Sequence, residues 1–163
     1  MRFFYDTEFV QRAYPSPLLL ITIGIVAEDG REYFACNRDF DPEQGDEWVR
    51  KHVVPRLPAG SDPVWKPPGV IATELRSFLA PGSPELWGYC SAYDHVLLVQ
   101  LLGGFAAWPD GWPYYTRELR QWQDVLGVAS LPLPWPNEHD ALADARWCRA
   151  AWQWLSDQEG SRA

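Results

Sequence analysis

The chain has 163 residues, 47% of them hydrophobic, and a formal net charge of −8 at pH 7. This size and composition predict one globular domain over residues 1–163, with 158–163 as a frayed tail. The acidic balance excludes a protein that coats DNA or RNA through a basic surface, although it allows an enzyme that brings positive charge as bound metal.

The cysteine content and hydropathy indicate a compartment and exclude a membrane span. The three cysteines are odd in number and none lies in a CxxC pair. Together with the absence of a secretory signal pattern, this predicts reduced thiols and a cytoplasmic protein. No apolar stretch approaches the length needed to cross a bilayer, so we expect no membrane partner.

The first forty residues predict three strands that are antiparallel to one another. Residues 2–6 are largely aromatic and lead directly to two acids, and 18–27 is a β-branched apolar run. Residues 32–40 follow across the turn pair Asp29-Gly30, which favours a hairpin.

The rest of the chain predicts several helices and one further strand, which runs directly into the helix that follows it. The pattern gives a short helix within 41–57, a loop at 58–69, a helix at 70–80, a strand within 84–92, a helix ended by Gly103-Gly104, a loop at 106–115, a helix at 116–127 and a last helix from 138 with Asn137 as its N-cap. This order predicts an α/β fold with one mixed sheet and helices on its faces.

Asp6 and Glu8 are candidate metal ligands at the end of the first predicted strand. Side chains two residues apart on a strand point to the same face, so these carboxylates repel unless a cation lies between them. Hard divalent cations such as Mg²⁺ prefer oxygen ligands of this kind. Without further residues, a strand end emerging into solvent is the better explanation of the pair.

Three more candidates lie at predicted helix starts. Asp94 falls in the first turn of the helix after the fourth strand, where Ser91 is a candidate cap and the helix dipole alone accounts for an acid. His139 and Asp144 open the last helix, about 7.5 Å and 140° apart on an ideal helix, too far round to hold one ion side by side. Asp144 is therefore a candidate metal ligand and His139 a candidate contact to a neighbouring water. His52 and His95 are assigned structural roles.

The order of these motifs resembles the His-type (DEDDh) branch of the DEDD 3′-to-5′ exonuclease superfamily. The matching motifs are FYDTEF around Asp6 and Glu8, SAYDHVLL around Asp94, and HDALADA over 139–145. The small size, the EDGREYF hairpin and the DTEF opening are most similar to the polyadenylate-specific 3′-exoribonucleases of actinobacteria and their phages. The resemblance implies a ribonuclease-H-like fold, with a mixed five-stranded sheet and helices on both faces.

The resemblance also implies a mechanism. Asp6, Glu8, Asp94 and Asp144 would offset the charge of two Mg²⁺ ions, for which Mn²⁺ can substitute, with Asp6 bridging both ions. Two metal ions can stabilise the attacking and leaving oxygens of an in-line phosphoryl displacement. His139 would act as general base, and nucleoside 5′-monophosphates would leave the RNA 3′ end.

Substrate contacts and substrate choice stay open at this stage. Thr7, Phe9 and Tyr93 flank the acids and are candidates for contact with the last nucleotide, although Phe9 and Tyr93 could equally be core residues. The alternatives are a DNA-directed proofreading or repair exonuclease and an inactive nucleic-acid-binding module of the same fold. The expected partner is an RNA 3′ end, with DNA and a homodimer left open.

Overall fold

The computed structural model describes residues 1–13, 16–134 and 139–161. The strands are β1 (Arg2–Val10), β2 (Leu19–Ala27), β3 (Glu32–Asn37), β4 (Trp65–Lys66), β5 (Glu85–Gly88) and β6 (Arg117–Glu118). The helices are α1 (Glu47–His52), α2 (Pro68–Leu79), α3 (Ala92–Leu101), α4 (Leu119–Val125) and α5 (Ala141–Gly160), with 3-10 turns at Pro42–Gln44, Val54–Arg56 and Phe105–Ala107.

The strands form one mixed sheet in the order β4-β3-β2-β1-β5-β6. The predicted antiparallel arrangement of β1, β2 and β3 is confirmed, and β5 lies parallel to β1. The sheet has six strands, whereas the resemblance implies five, because the two-residue edge strands β4 and β6, parallel to β3 and β5, join the four strands that the sequence pattern predicts. Both fall in segments predicted as loop and helix, since pairing with a neighbouring strand decides such short elements.

Helices cover both faces of the sheet, as predicted. On one face, Phe3 and Tyr5 of β1 belong to a core cluster that includes residues of α2 and α3. On the other, Phe4 packs in a cluster with residues of α4 and α5. Since side chains alternate along a strand, Asp6 and Glu8 share the α5 face with Phe4, and Thr7 shares the α3 face with Tyr5.

Strand β1 continues past the two acids, and the prediction that they end it is wrong. β2 pairs with β1 as far as Val10, opposite Leu19, which keeps the chain extended. The register shifts between Glu8 and Phe9, an irregularity of the kind that re-aims side chains next to functional sites. The acids therefore lie within β1, which pairs with β2 both before and after them.

Gly24 allows α5 to approach the sheet beside Asp6. Gly24 is opposite Asp6 in the β1–β2 pairing, so both face the same side. A Cβ at Gly24 would lie 2.4 Å from the backbone carbonyl of Ala141 and the amide nitrogen of Leu142. Only glycine permits this contact, which brings the first turn of α5 next to the carboxylates of β1.

The last helix begins three residues later than predicted. Asp140 is its N-cap, and its carboxylate accepts hydrogen bonds from the amides of Leu142 and Ala143, both at 3.1 Å. Asn137, the predicted cap, lies outside the described residues. Asp140 therefore caps the helix itself and is not a residue of its first turn.

None of the helices in the described part of the chain is long and apolar enough to cross a membrane.

Replacing Gly24 with Ala should destabilise the protein. The added Cβ would overlap backbone atoms, which cannot rotate away, so we expect a loss of about 1–3 kcal/mol in the free energy of unfolding. Gly69→Ala is the matched control, because the exposed Gly69 in α2 has nothing within 4 Å of an added Cβ. That variant should be equally or slightly more stable. Urea unfolding of both variants measures this, and a Gly24→Ala protein as stable as wild type would contradict the close approach.

Candidate active site

Three of the predicted metal ligands meet in one cluster. Carboxylate oxygens of Asp6, Glu8 and Asp144 all lie within 4.8 Å of one another. Glu8 and Asp144 are only 8% and 6% exposed. They line an open cavity of about 520 Å³ together with Thr7, Phe9, Gln11, Asp46, Trp48, Val49 and His139. The cavity is large enough to admit a ligand the size of a nucleotide.

A tight turn before α5 places His139 beside this cluster. His139 has a φ of 71° and lies two residues before the helix, so the helical spacing expected between His139 and Asp144 does not apply. Its backbone amide donates a hydrogen bond to the Asp144 carboxylate at 3.1 Å. The turn thus brings the imidazole and the carboxylate to the same cavity.

Two residues of α1 contact the imidazole of His139. The Trp48 ring meets it edge to face, with centroids 4.6 Å apart. His52 lies against Trp48 at 5.1 Å, and its ring is 6.1 Å from that of His139. Trp48 and His52 were not predicted as site residues, and nothing in the local sequence around them indicates this role, because they reach His139 only through the fold.

Asp94 is not a member of the three-carboxylate cluster, but its charge acts on both Asp6 and Glu8. It is 6% exposed and accepts hydrogen bonds from the Thr7 amide at 2.9 Å and the Thr7 hydroxyl at 2.5 Å. These two hydrogen bonds tie Asp94 to β1 at Thr7, between the two acids of the strand. The amide and hydroxyl of Thr7, a predicted nucleotide contact, are thus both bonded to Asp94.

Burial and mutual repulsion disfavour charge on these carboxylates. Burial, reinforced by the charges of Asp144 and Asp94, raises the pKa of Glu8 to about 8. Burial also raises the pKa of Asp6 well above its usual value, and the Asp94 charge adds to this rise. For Asp94, burial raises the pKa while the Thr7 hydrogen bonds oppose the rise. A site of this kind favours a bound cation, which would restore the ionised forms.

Glu118 organises the turn that carries Asp94 and was missed in the sequence. Its carboxylate accepts hydrogen bonds from the amides of Cys90 and Ser91, at 2.7 and 2.8 Å, from the Ser91 hydroxyl at 3.2 Å, and from the Arg120 amide at 3.0 Å. Ser91 occupies the N-cap position of α3, but its side chain makes no capping bond. Its predicted capping role is therefore wrong, because its hydroxyl donates to Glu118.

The half-buried Phe9 lines the cavity, and the exposed Tyr93 packs against it. The rings of Phe9 and Tyr93 lie 5.5 Å apart, and Tyr93 is 45% exposed. The Gln11 amide group donates to the Tyr93 hydroxyl at 3.1 Å. Neither ring lies in the fully buried core, so both are accessible to a ligand in the cavity.

The mixed sheet, the helices on both faces and the acidic cavity beside β1 place this chain among exonuclease-like domains of the ribonuclease-H-like class. It belongs to the family of 3′-5′ exoribonuclease Rv2179c-like domains, whose sequence profile matches residues 1–156. The resemblance to the DEDD exonuclease superfamily is thereby confirmed.

Two curated relatives support this assignment, and solved structures share the fold. The 3′-5′ exoribonucleases Rv2179c and MT2234.1, from two strains of Mycobacterium tuberculosis, are each 48% identical to this chain over 150 residues, which cover 90% of this chain and 88% of theirs. The structure of E. coli exonuclease I with single-stranded DNA and zinc matches with a TM-score of 0.64 at 12% identity, over 98% of this chain and 41% of the larger protein. A product-bound exonuclease I matches with a TM-score of 0.63 at 13% identity, over 98% and 44% of the two chains. At this identity, the exonuclease I structures show a shared fold.

Without divalent metal, the protein should lose stability as the pH rises. The pKa of Glu8 is about 8 in the folded protein against an ordinary value of 4.5, so the folded state holds this proton more tightly than the unfolded state. Its contribution is complete below about pH 4.5 and is lost as the pH passes through about 8. Melting temperatures in EDTA should fall between pH 6 and pH 9, and Glu8→Gln should flatten the fall. An equal slope in that variant would contradict the assignment.

Glu118→Ala should weaken both the fold and the site. It leaves the Cys90 and Ser91 amides without their acceptor, and we expect a loss of about 1.5–3 kcal/mol in unfolding free energy, the range for hydrogen bonds to a charged group. Glu32→Ala is the control, because it removes an exposed carboxylate paired with Arg146 and should lose less than about 1 kcal/mol. Chemical denaturation compares the two, and equal losses would argue against a special role for Glu118.

Proposed function

We propose that this chain is a metal-dependent 3′-to-5′ exoribonuclease that releases nucleoside 5′-monophosphates from RNA 3′ ends. The observation that carries the proposal is the cluster of Asp6, Glu8 and Asp144 carboxylates within 4.8 Å in a cavity that His139 also lines. Because the chain belongs to an exoribonuclease family, this cluster is best explained as the metal site for phosphodiester hydrolysis.

The donor set of the cavity fits Mg²⁺ or Mn²⁺. All donors in the cluster are carboxylate oxygens, which hard divalent cations prefer, whereas zinc sites in proteins favour Cys and His. Asp6, Glu8 and Asp144 would hold the metal, and Asp94, next to Asp6, would complete a two-ion site. Bound cations would neutralise the carboxylates and make a water molecule more acidic.

His139 is the proposed general base. It would accept the proton of the attacking water on an imidazole nitrogen, the commonest role of histidine in general acid–base catalysis. The edge-to-face contact with Trp48, and the hydrogen bond from the His139 backbone amide to Asp144, hold this residue at the cavity wall. Thr7 would serve by fixing Asp94 through its two hydrogen bonds.

The terminal base would stack on the aromatic pair at the cavity edge. Phe9 lines the cavity and Tyr93 lies against it, and stacking on such rings tolerates any base.

Cys36, Cys90 and Cys148 are free thiols, of which Cys90 is exposed, and this supports a reducing, cytoplasmic location.

The proposal is tested with RNA labelled at its 5′ end, a circular RNA and a DNA of the same sequence, each with Mg²⁺ and with EDTA. Linear RNA should shorten stepwise to a ladder and release nucleoside 5′-monophosphates, while circular RNA stays intact. Cutting of the circle would indicate an endonuclease. Faster hydrolysis of the DNA would replace the ribonuclease assignment with the DNA-directed alternative.

Chelation and Asp6→Asn should reveal the metal through stability as well as rate. EDTA should abolish hydrolysis, and Mg²⁺ should restore it and raise the melting temperature, because the ion binds only the folded site. Asp6→Asn should lose nearly all turnover and most of the Mg²⁺-dependent rise. In EDTA it should melt at or above the wild-type temperature, since one repelling charge is gone. Full activity of wild type in excess EDTA would refute the metal site.

His139→Asn should cut turnover by about 10²–10⁴, the usual contribution of one acid–base group. Asn tolerates the left-handed backbone conformation at this position, so the turn and the hydrogen bond from the backbone amide to Asp144 should survive. The melting temperature and its rise with Mg²⁺ should therefore stay close to wild type. If turnover is also unchanged, His139 is only a turn residue and another group removes the proton.

A further inference from the structure

The Lys and Arg side chains differ in whether they have a partner within the protein. Most described Lys and Arg side chains have a partner within the protein, and Arg12, Arg50 and Lys51 are the exceptions among residues 1–13, 16–134 and 139–161. Ion pairs join Arg2, Arg31, Lys66, Arg117, Arg120 and Arg146 to acids, and backbone carbonyls accept hydrogen bonds from Arg38, Arg56, Arg76 and Arg149.

Two of the three unpartnered charges, Arg12 and Lys51, lie next to residues that line the cavity. Arg12 is exposed and directly follows Gln11, which lines the cavity after the end of β1. Lys51 is exposed and three residues after Trp48 on α1, so the two share one side of that helix. Arg50, two residues after Trp48, points to the opposite side of α1.

Arg56 adds a third charge to this region. It lies in the 3-10 turn after α1, is exposed, and donates to the backbone carbonyl of His52, which leaves its charge without an acidic partner. The ring of His52 lies 6.1 Å from that of His139, which lines the cavity. Arg56 therefore lies near the α1 side of the cavity.

An RNA strand that enters this cavity faces unfavourable electrostatics. The chain has a net charge of −8, and the floor of the cavity is built of carboxylates. Metal ions would offset charge only at the scissile phosphate. The phosphates further upstream need positive charge on the protein surface, because phosphate contacts with Lys and Arg dominate affinity for nucleic acids.

We propose that Arg12, Lys51 and Arg56 form a basic rim that binds the phosphates of single-stranded RNA upstream of the terminal nucleotide. The proposal rests on the proposed function for the identity of the strand. It gives the rim a role in holding the strand and not in hydrolysis, so its loss should raise KM much more than it lowers kcat.

The test compares Arg12→Gln, Lys51→Gln, Arg56→Gln and the triple variant with two controls that remove the same charge elsewhere. Arg50→Gln lies on the same helix but on its other side. Arg31→Gln lies in the β2–β3 turn, paired with Asp29, at the opposite end of β1 from the carboxylates. Melting temperatures verify that all variants fold.

Hydrolysis of a single-stranded RNA of a dozen nucleotides is measured from 50 to 200 mM salt. Each rim variant should raise KM several-fold, and the slope of log kcat/KM against log salt should become shallower by about 0.7 for each charge removed. The defect should be smaller on a dinucleotide, which has no upstream phosphates. Both controls should stay within about twofold of wild type.

Binding of the same RNA to wild type and variants in EDTA, followed by fluorescence anisotropy, separates this proposal from the proposed function. If wild type binds RNA but hydrolyses none with Mg²⁺, the exoribonuclease assignment fails while the rim is still tested by affinity. The rim is refuted if the triple variant keeps the wild-type salt slope and affinity. It is also refuted if Arg50→Gln or Arg31→Gln weakens binding as much as Lys51→Gln, or if wild type binds no RNA.

Discussion

Mutual repulsion among the carboxylates beside β1 is the constraint on which the rest of the structure depends. Asp6, Glu8 and Asp144 lie within 4.8 Å of one another, two of them almost fully buried. Ionising such a group of carboxylates costs free energy unless a cation is bound. The surrounding fold must therefore be stable enough to hold these side chains together, and the tight contact between β2 and the start of α5 keeps Asp144 beside β1.

The site is assembled from the two faces of one strand. Asp6 and Glu8 face α5, which contributes Asp144 and the turn that carries His139, whereas Thr7 faces α3 and binds Asp94. Gly24 on one side and Glu118 on the other fix how closely the two helix starts approach β1. Substitutions at these supporting positions should thus disturb the chemistry without touching a catalytic group.

Charge is distributed in accordance with this design. The acids that repel one another are concentrated at the cavity floor, and three cations without acidic partners, Arg12, Lys51 and Arg56, lie on the segment after β1 and around α1. Elsewhere, Arg and Lys side chains are mostly engaged with acids or carbonyls of the protein itself. The proposed basic rim would let an acidic protein bind a polyanion through a few positive charges placed near the cavity.

The sequence by itself determined the chemistry and the central sheet. The alternation and β-branched runs predicted β1, β2 and β3, and the order of Asp6, Glu8, Asp94, His139 and Asp144 indicated the superfamily. Only the tertiary structure decided that β1 extends beyond its acids, that His139 precedes α5 in a left-handed turn, and that Thr7 holds Asp94. It alone brought Trp48, His52 and Glu118 to the site. The physical reason is that periodicity and capping act over a few residues, whereas these contacts join segments far apart in the chain and exist only once the sheet and helices have packed.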